Sequence, residues 1–102
     1  MKFKTHNENF IDINGTSLVG EIKANYGDLK AIFGAPTDGD GYKVDAEWEV
    51  EFENGTVATI YNWKNGKNYN GASGTAKTKI TDWHIGGNDQ EAVSLVKQAL
   101  SK

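Results

Sequence analysis

Residues 46–63 read AEWEVEFENGTVATIYNW, and this stretch carries the clearest structural signal in the sequence. Ala46–Phe52 alternates strictly between apolar and acidic side chains, which is the period of a half-buried strand. Asn54-Gly55 follows and is the strongest two-residue signal of a hairpin turn. Thr56–Trp63 is then rich in the β-branched and aromatic residues that strands favour. The stretch predicts an antiparallel hairpin over about 46–63.

A two-residue loop at Asn54-Gly55 also predicts the register of the hairpin. The expected cross-strand pairs are Phe52 with Val57, Val50 with Thr59 and Trp48 with Tyr61. Tyr61 and Trp63 then lie on an apolar, aromatic face with Trp48. The other face carries three acidic residues, which are Glu47, Glu49 and Glu51.

Helices are predicted on both sides of the hairpin. A short one over about 26–33 follows Asn25, which can cap it, and ends before Gly34. A C-terminal one over about 89–101 follows Asn88 and carries an apolar stripe at helical spacing.

A third strand is predicted over about 78–85, with Gly86-Gly87 as the sharp turn into the last helix. Asn14-Gly15 predicts a weaker hairpin between 10–13 and 18–22, or strands that flank the sheet, and residues 1–9 are expected to form a loose N-terminus. The 102 residues fit a single domain. The predicted class is α+β, an antiparallel sheet with both helices packed on one face.

The amino-acid composition argues against several classes of function. All eleven basic residues are lysine and the net charge is −3, which argues against direct binding of duplex DNA, usually read by arginine. The absence of cysteine excludes disulfides and thiolate zinc sites. No run approaches the roughly 18 apolar residues of a membrane span, and the N-terminus resembles no signal peptide. We therefore expect a cytoplasmic protein that does not bind membranes.

No metal or cofactor is predicted. Asp38–Tyr42 resembles the start of a calcium loop, but Tyr42 and Lys43 stand where the motif needs an oxygen ligand and a glycine. A flexible acidic turn is the simpler interpretation. The two histidines, His6 and His84, make only a weak case for a histidine-based metal site.

Residues 61–71, YNWKNGKNYNG, form the first candidate site. Their aromatic rings can stack on a ligand, their lysines can meet phosphate, and their asparagines offer donors and acceptors. The predicted contacts with a ligand or partner are Asn62, Lys64, Asn65, Lys67 and Tyr69. The alternative is an ordinary turn at Asn65-Gly66.

The stretch Trp83-His84-Ile85-Gly86-Gly87 is the second candidate. Free backbone N–H groups at a glycine turn before a helix attract anions, so the predicted contacts there are Trp83, His84, Gly86 and Gly87. Alternatively, the glycines only make the turn. His84 is also the one candidate for a catalytic acid or base, beside Asp82 or a glutamate.

The acidic face formed by Glu47, Glu49 and Glu51 has two interpretations. The simpler is a solvated sheet face. The functional one is a docking face for a protein partner, or a surface that imitates nucleic acid.

Three segments together, Tyr42–Trp48, Gly55–Tyr69 and Trp83–Gly87, resemble a family of small uncharacterised proteins encoded by tailed bacteriophages. The likeness covers roughly 18–100. It implies a context, the cytoplasm of an infected bacterium, because small acidic phage proteins often bind and block a host component.

The leading hypothesis is therefore a non-enzymatic binding protein, an inhibitor of a host immune system. It would block a host protein or sequester a small anionic, nucleotide-like signal. The alternatives are a small enzyme acting on a nucleotide or phosphoester through His84, and a docking module that uses the acidic face. The residues leave open whether the chain forms a homo-oligomer.

Overall fold

The computed structural model describes residues 2–101 and contains five strands and three helices in that range. In chain order these are β1 (Phe3–Thr5), β2 (Ser17–Lys23), α1 (Tyr26–Phe33), β3 (Glu47–Phe52), β4 (Val57–Tyr61), α2 (Lys67–Asn70), β5 (Asp82–Gly87) and α3 (Glu91–Leu100). Two 3₁₀ turns, Gly71–Ser73 and Lys77–Lys79, connect α2 to β5. No helix between residues 2 and 101 has the length and hydropathy needed to cross a membrane.

The strands form one antiparallel sheet in the order β1-β3-β4-β5-β2. The predicted hairpin is the β3–β4 pair, and β5 lies along β4. The short strand β1 forms one edge, and β2 forms the other, with a bulge between Leu18 and Gly20. The predicted α+β class with an antiparallel sheet is confirmed.

Helices α1 and α3 cover one face of this sheet, and the core lies between them and the strands. Trp48 and Trp83 are fully buried at its centre, with their rings edge to face at 5.3 Å. Each indole N–H donates to a backbone carbonyl, that of Gly34 for Trp48 (2.7 Å) and that of Ala24 for Trp83 (3.0 Å). Both tryptophans are thus buried without an unpaired donor.

We call the other side of the sheet the open face. Strand alternation places on it the residues Glu21, Glu47, Glu49, Glu51, Tyr61 and His84.

The predicted hairpin register is wrong by one residue. The loop has three residues, Glu53–Gly55, and is closed by a bond from the Phe52 N–H to the Thr56 carbonyl (2.8 Å). Gly55 adopts the left-handed backbone (φ +89°) that such a loop requires. The observed pairs are Glu47 with Tyr61, Trp48 with Ile60, Glu49 with Thr59, Val50 with Ala58 and Glu51 with Val57.

A one-residue shift moves every side chain of a strand to the other face. Tyr61 therefore lies beside Glu47 on the open face, and not with Trp48 as predicted. Ala58 and Ile60 take the buried positions, where both are completely inaccessible. This exchange provides the core with aliphatic side chains and brings an aromatic ring to the acidic side of the sheet.

The helices agree closely with the sequence. Helix α1 has the predicted bounds and Asn25 occupies its N-cap position, but the Asn25 side chain makes no capping hydrogen bond. Helix α3 lies within the predicted 89–101, but Asn88 does not cap it. The Asp89 carboxylate instead accepts the Glu91 N–H (2.9 Å), and Gln90 occupies the N-cap position.

The remaining strand boundaries differ from the prediction. Lys77–Lys79 is a 3₁₀ turn and β5 extends through Gly87, so Gly86-Gly87 belongs to the strand and the predicted turn there is wrong. At the N-terminus, Phe3–Thr5 pairs with β3 and is not loose. Residues 10–13 form no strand, and β2 pairs with β5.

Candidate functional site

Two loops meet beyond the end of the β3–β4 hairpin. One precedes β3 and carries Tyr42 and Lys43. The other follows β4 and carries Trp63, Lys64 and, in α2, Tyr69. The Lys64 N–H donates to the Lys43 carbonyl (2.9 Å) and joins them. We call these five residues the aromatic–lysine cluster.

Asp40 organises the first loop. One oxygen of its carboxylate accepts the backbone N–H groups of Tyr42, Lys43 and Val44 at 2.8–2.9 Å. The bonds from Tyr42 and Val44 lower the pKa of the Asp40 carboxyl from its ordinary value, because they favour the charged form. This acidic turn is therefore held by its own backbone. Within residues 2–101 no three acidic or histidine side chains are grouped as metal ligands would be.

Asn62 anchors the second loop. Its side chain is fully buried, and its amide oxygen accepts the N–H groups of Asp45 (2.8 Å) and Ala46 (3.1 Å). Its amide nitrogen donates to the side chains of Asp45 (2.9 Å) and Asn65 (3.0 Å). Both ends of the amide are thus occupied by protein groups. The prediction that Asn62 contacts a ligand is wrong, and Asn62 instead fixes the start of the loop.

Lys64 has an unusual backbone. Among residues 2–101 it is the one non-glycine residue with positive φ (59°). The left-handed conformation costs roughly 1–2 kcal/mol for an ordinary L-residue. The Lys64 N–H bond to Lys43 and the bond from the Asn70 amide to the Lys64 carbonyl (2.8 Å) hold it there. Residues held in such conformations concentrate at functional sites.

The cluster combines exposed rings with two cations. The Lys43 ammonium lies 5.3 Å from the Trp63 ring centre and 5.4 Å from that of Tyr42. The Lys64 ammonium lies 5.7 Å from Trp63 and 5.5 Å from Tyr69. The three rings remain 40–57% exposed, and the tyrosine rings are 5.4 Å apart. Neither lysine forms an ion pair with a carboxylate in the described chain.

A row of polar side chains crosses the open face next to the cluster. Glu21, His84, Tyr61 and Glu47 lie side by side on β2, β5, β4 and β3. The His84 Nε2 is 3.2 Å from a Glu21 carboxylate oxygen. The His84 ring packs edge to face on Tyr61 (5.6 Å) and is stacked with Trp63 (6.4 Å). His84 therefore links the row to the cluster.

Two groups in this row have perturbed pKa values. Burial, with a smaller effect of neighbouring Glu47, raises the pKa of the Tyr61 hydroxyl. Burial, and then the nearby carboxyl of Glu49, raises the pKa of Glu47 to about 7. Negative charge is thus poorly solvated on this part of the sheet.

The structure brings together only some of the predicted contacts. Lys64 and Tyr69 lie in the cluster, and His84 borders it. Lys67 lies apart, in a cavity of about 460 Å³ with Asp38, Asp45, Asn68, Ala76 and Lys77. Asn65 uses its side chain to bond Asn62 and the Asp82 carbonyl.

The structure differs more from the prediction at the second candidate site, Trp83–Gly87. Trp83 is a core residue with no exposed surface. Gly86 and Gly87 are buried within β5, so the turn that would direct their N–H groups at an anion is absent. They are glycines because a Cβ at Gly86 would lie 2.3 Å from the Thr59 hydroxyl, and one at Gly87 would lie 2.5 Å from the Ala92 Cβ.

Two cluster residues, Tyr42 and Lys43, were not among the predicted contacts. They lie about twenty residues before Trp63, and only the pairing of β3 with β4 brings them near it. Of the two kinds of partner predicted for His84, the structure shows the glutamate, because Glu21 faces it while Asp82 pairs with Lys23.

No protein-family model, curated protein or solved structure matches this chain. The resemblance to phage proteins therefore stays a prediction.

Proposed function

We propose that this is a non-enzymatic binding protein whose aromatic–lysine cluster takes up a small anionic ligand with a flat ring, such as a nucleotide. One observation carries the proposal. Two lysines without a carboxylate partner in the described chain lie over three exposed aromatic rings. Rings offer stacking surface, and unpaired ammonium groups offer charge for a phosphate.

The lysines can leave the rings at small cost. An exposed cation–π contact is worth only about 0.5–1 kcal/mol. Stacking of one base on an aromatic side chain is worth about 1–3 kcal/mol. A base can therefore replace an ammonium group on Trp63, and the displaced lysine can then meet the phosphate of the same ligand.

The site is also organised before a ligand arrives. The buried Asn62 amide, the Asp40 carboxylate and the Lys64–Lys43 backbone bond hold both loops. A preformed site loses less conformational entropy on binding, which leaves more of the contact energy for affinity.

Tryptophan fluorescence tests the proposal directly. Trp48 and Trp83 are fully buried and Trp63 is 40% exposed, so a change on adding ligand reports mainly on the cluster. We expect mononucleotides and cyclic dinucleotides to quench Trp63, and Trp63→Phe to abolish that signal. Calorimetry of the Trp63→Phe variant should still detect weaker binding. No quenching and no heat from any nucleotide would refute the small-ligand proposal.

Charge variants identify the residues responsible. Lys43→Gln and Lys64→Gln should each weaken binding about tenfold, equivalent to about 1.4 kcal/mol. Lys97→Gln is the matched control, because Lys97 is an exposed lysine on α3 outside the cluster. Equal losses in all three variants would indicate a general charge effect and no specific site.

A second candidate function rests on the 3.2 Å contact between His84 and Glu21. A carboxylate that orients an imidazole can support general acid–base catalysis, here on a nucleotide or phosphoester. The two candidates predict different fates for the ligand. The binding protein returns it intact, whereas the enzyme converts it and loses turnover in His84→Gln while the fold remains.

The biological setting rests on the phage resemblance alone. It suggests that the ligand belongs to a bacterial host, as a nucleotide signal or as part of a host protein. Capture from a bacterial lysate on immobilised protein, with Trp63→Ala as the control surface, would test this. Recovery of the same molecules on both surfaces would contradict it.

A further inference from the structure

We infer that the glutamates of the open face limit the cluster to short nucleotides and exclude an extended single strand of nucleic acid. This inference rests on the proposed function and adds the class of ligand and the residues that select it.

Tyr61 connects the cluster to the glutamates. Its ring lies edge to face with Trp63 at 6.3 Å, and its backbone is directly opposite Glu47 on β3. Opposite residues of antiparallel strands are about 5 Å apart. Glu49 and Glu51 follow on the same face at every second residue, about 7 Å apart along the strand. The acidic row therefore begins one strand away from Tyr61, whose ring contacts the Trp63 ring of the cluster.

Proteins that hold single strands on exposed aromatic rings also need a basic groove that follows the phosphates. The open face offers the opposite charge. It carries Glu21, Glu47, Glu49 and Glu51, and its Lys4 is already near Glu51 (3.8 Å). A phosphate about 4 Å from one of these carboxylates is repelled even in water, and each further phosphate adds to the repulsion.

The raised pKa of Glu47 agrees with this. Burial and the Glu49 carboxyl already disfavour its ionised form in the free protein. An incoming phosphate would add another negative group next to Glu47, where negative charge is already disfavoured.

On the other side of the cluster, the cavity beyond α2 holds charges of both signs. Lys67 and Lys77 line it together with Asp38 and Asp45, so two ammonium groups are matched by two carboxylates there. A strand that leaves the cluster across the open face thus meets repulsion, and one that leaves through this cavity meets balanced charges. A mononucleotide or dinucleotide needs neither side, because Lys43 and Lys64 lie within the cluster.

The test compares adenosine monophosphate with single-stranded deoxyadenylates of two, four and eight residues, by quenching of Trp63. We expect the wild-type protein to bind the octamer no more tightly than the monophosphate. Measured at about pH 8, above the pKa of about 7 of Glu47, octamer affinity should rise at least about tenfold in the double variant Glu47→Gln/Glu49→Gln, because two carboxylate charges are removed. Monophosphate affinity should change less than about twofold.

The control is Glu8→Gln/Asp28→Asn, which removes the same charge from exposed positions elsewhere. An equal gain of octamer affinity in this control would overturn the inference. So would a wild-type octamer that binds more tightly than the monophosphate, or a Glu47/Glu49 variant without a gain. None of these results would contradict the proposed function, provided that the monophosphate binds at the cluster. Binding of neither probe would refute both.

Discussion

The two faces of the sheet use alternate residues of the same strands for different purposes. On β3, Trp48, Val50 and Phe52 are at most 2% exposed and pack against the helices. Their neighbours Glu47, Glu49 and Glu51 are half-buried on the open face beside a tyrosine, a histidine and a lysine. The side chains of the covered face are apolar and buried against the helices, whereas those of the open face include several charged groups. We therefore expect that substitutions one residue apart can change stability and the proposed ligand selection separately.

Substitutions on the covered face should lower the free energy of unfolding the most. Ile60→Ala should lower the free energy of unfolding by about 3 kcal/mol, because it removes fully buried methyl groups and leaves a cavity. Glu49→Gln, on the other face of the adjacent strand, should change it by less than about 0.5 kcal/mol. Urea titrations of both variants measure the contrast. Similar losses would show that the open face also supports the fold.

Asn62 lies where the covered face meets the loops, and we expect Asn62→Ala to cost about 2–3 kcal/mol. The substitution leaves the buried N–H of Ala46 and the N–H of Asp45 without their acceptor. Asn65→Ala should cost less than about 1 kcal/mol, because Asn65 is only half-buried. Urea unfolding again provides the values, and equal losses would contradict the anchoring role of Asn62.

Two variants of Lys64 separate backbone strain from binding. Lys64→Gly should have a free energy of unfolding about 0.5–1 kcal/mol higher than Lys64→Gln, since glycine relieves the left-handed backbone but loses more chain entropy. Both variants lose the same cation–π contacts with Trp63 and Tyr69, so these contacts cancel in the comparison. Thermal unfolding measures the difference in stability, and Trp63 fluorescence should show nucleotide binding weakened alike in both. A Lys64→Gly variant no more stable than Lys64→Gln would show that the backbone is not strained.

The contribution of Glu47 to the pH dependence of folding stability should be smaller than these effects. Its pKa of about 7 in the folded protein lies above the ordinary 4.5, so the folded state holds this proton more tightly than the unfolded chain. Its stabilising contribution is complete below about pH 4.5 and is lost as the pH rises through about 7. Solvent screening should limit the effect to less than about 1 kcal/mol. Glu47→Gln should flatten this part of the denaturation profile between pH 4 and 8, and an unchanged slope would contradict the assignment.

Local sequence signals were sufficient to predict where the helices lie. Helix α1 has the predicted bounds because a capping position, an apolar face and a glycine–proline stop all lie within a dozen residues. The hairpin was also correctly located. Its register was not, because Asn54-Gly55 is compatible with a two-residue or a three-residue loop, and packing of the whole sheet decides between them.

The errors concern information that is not local. Gly86-Gly87 has the composition of a turn, yet the two glycines are needed for close approach to Thr59 and Ala92. Strand β1 has only three residues, too few for a visible alternation. In the cluster, Trp63, Lys64 and Tyr69 form a conspicuous local group, but Tyr42 and Lys43 join them only through tertiary structure. Asn62 looked like a ligand contact because composition does not reveal burial.

The edges of the sheet have a consequence for how the protein behaves when crowded. Exposed edge strands are templates for the addition of further strands and so for fibril growth. Strand β1 offers only three residues and includes Lys4, while β2 is interrupted by the bulge after Leu18 and carries Glu21 and Lys23. Short length, a bulge and outward charges each oppose edge-to-edge addition. We therefore expect both edges of the sheet to resist the addition of a strand from a neighbouring copy of the chain.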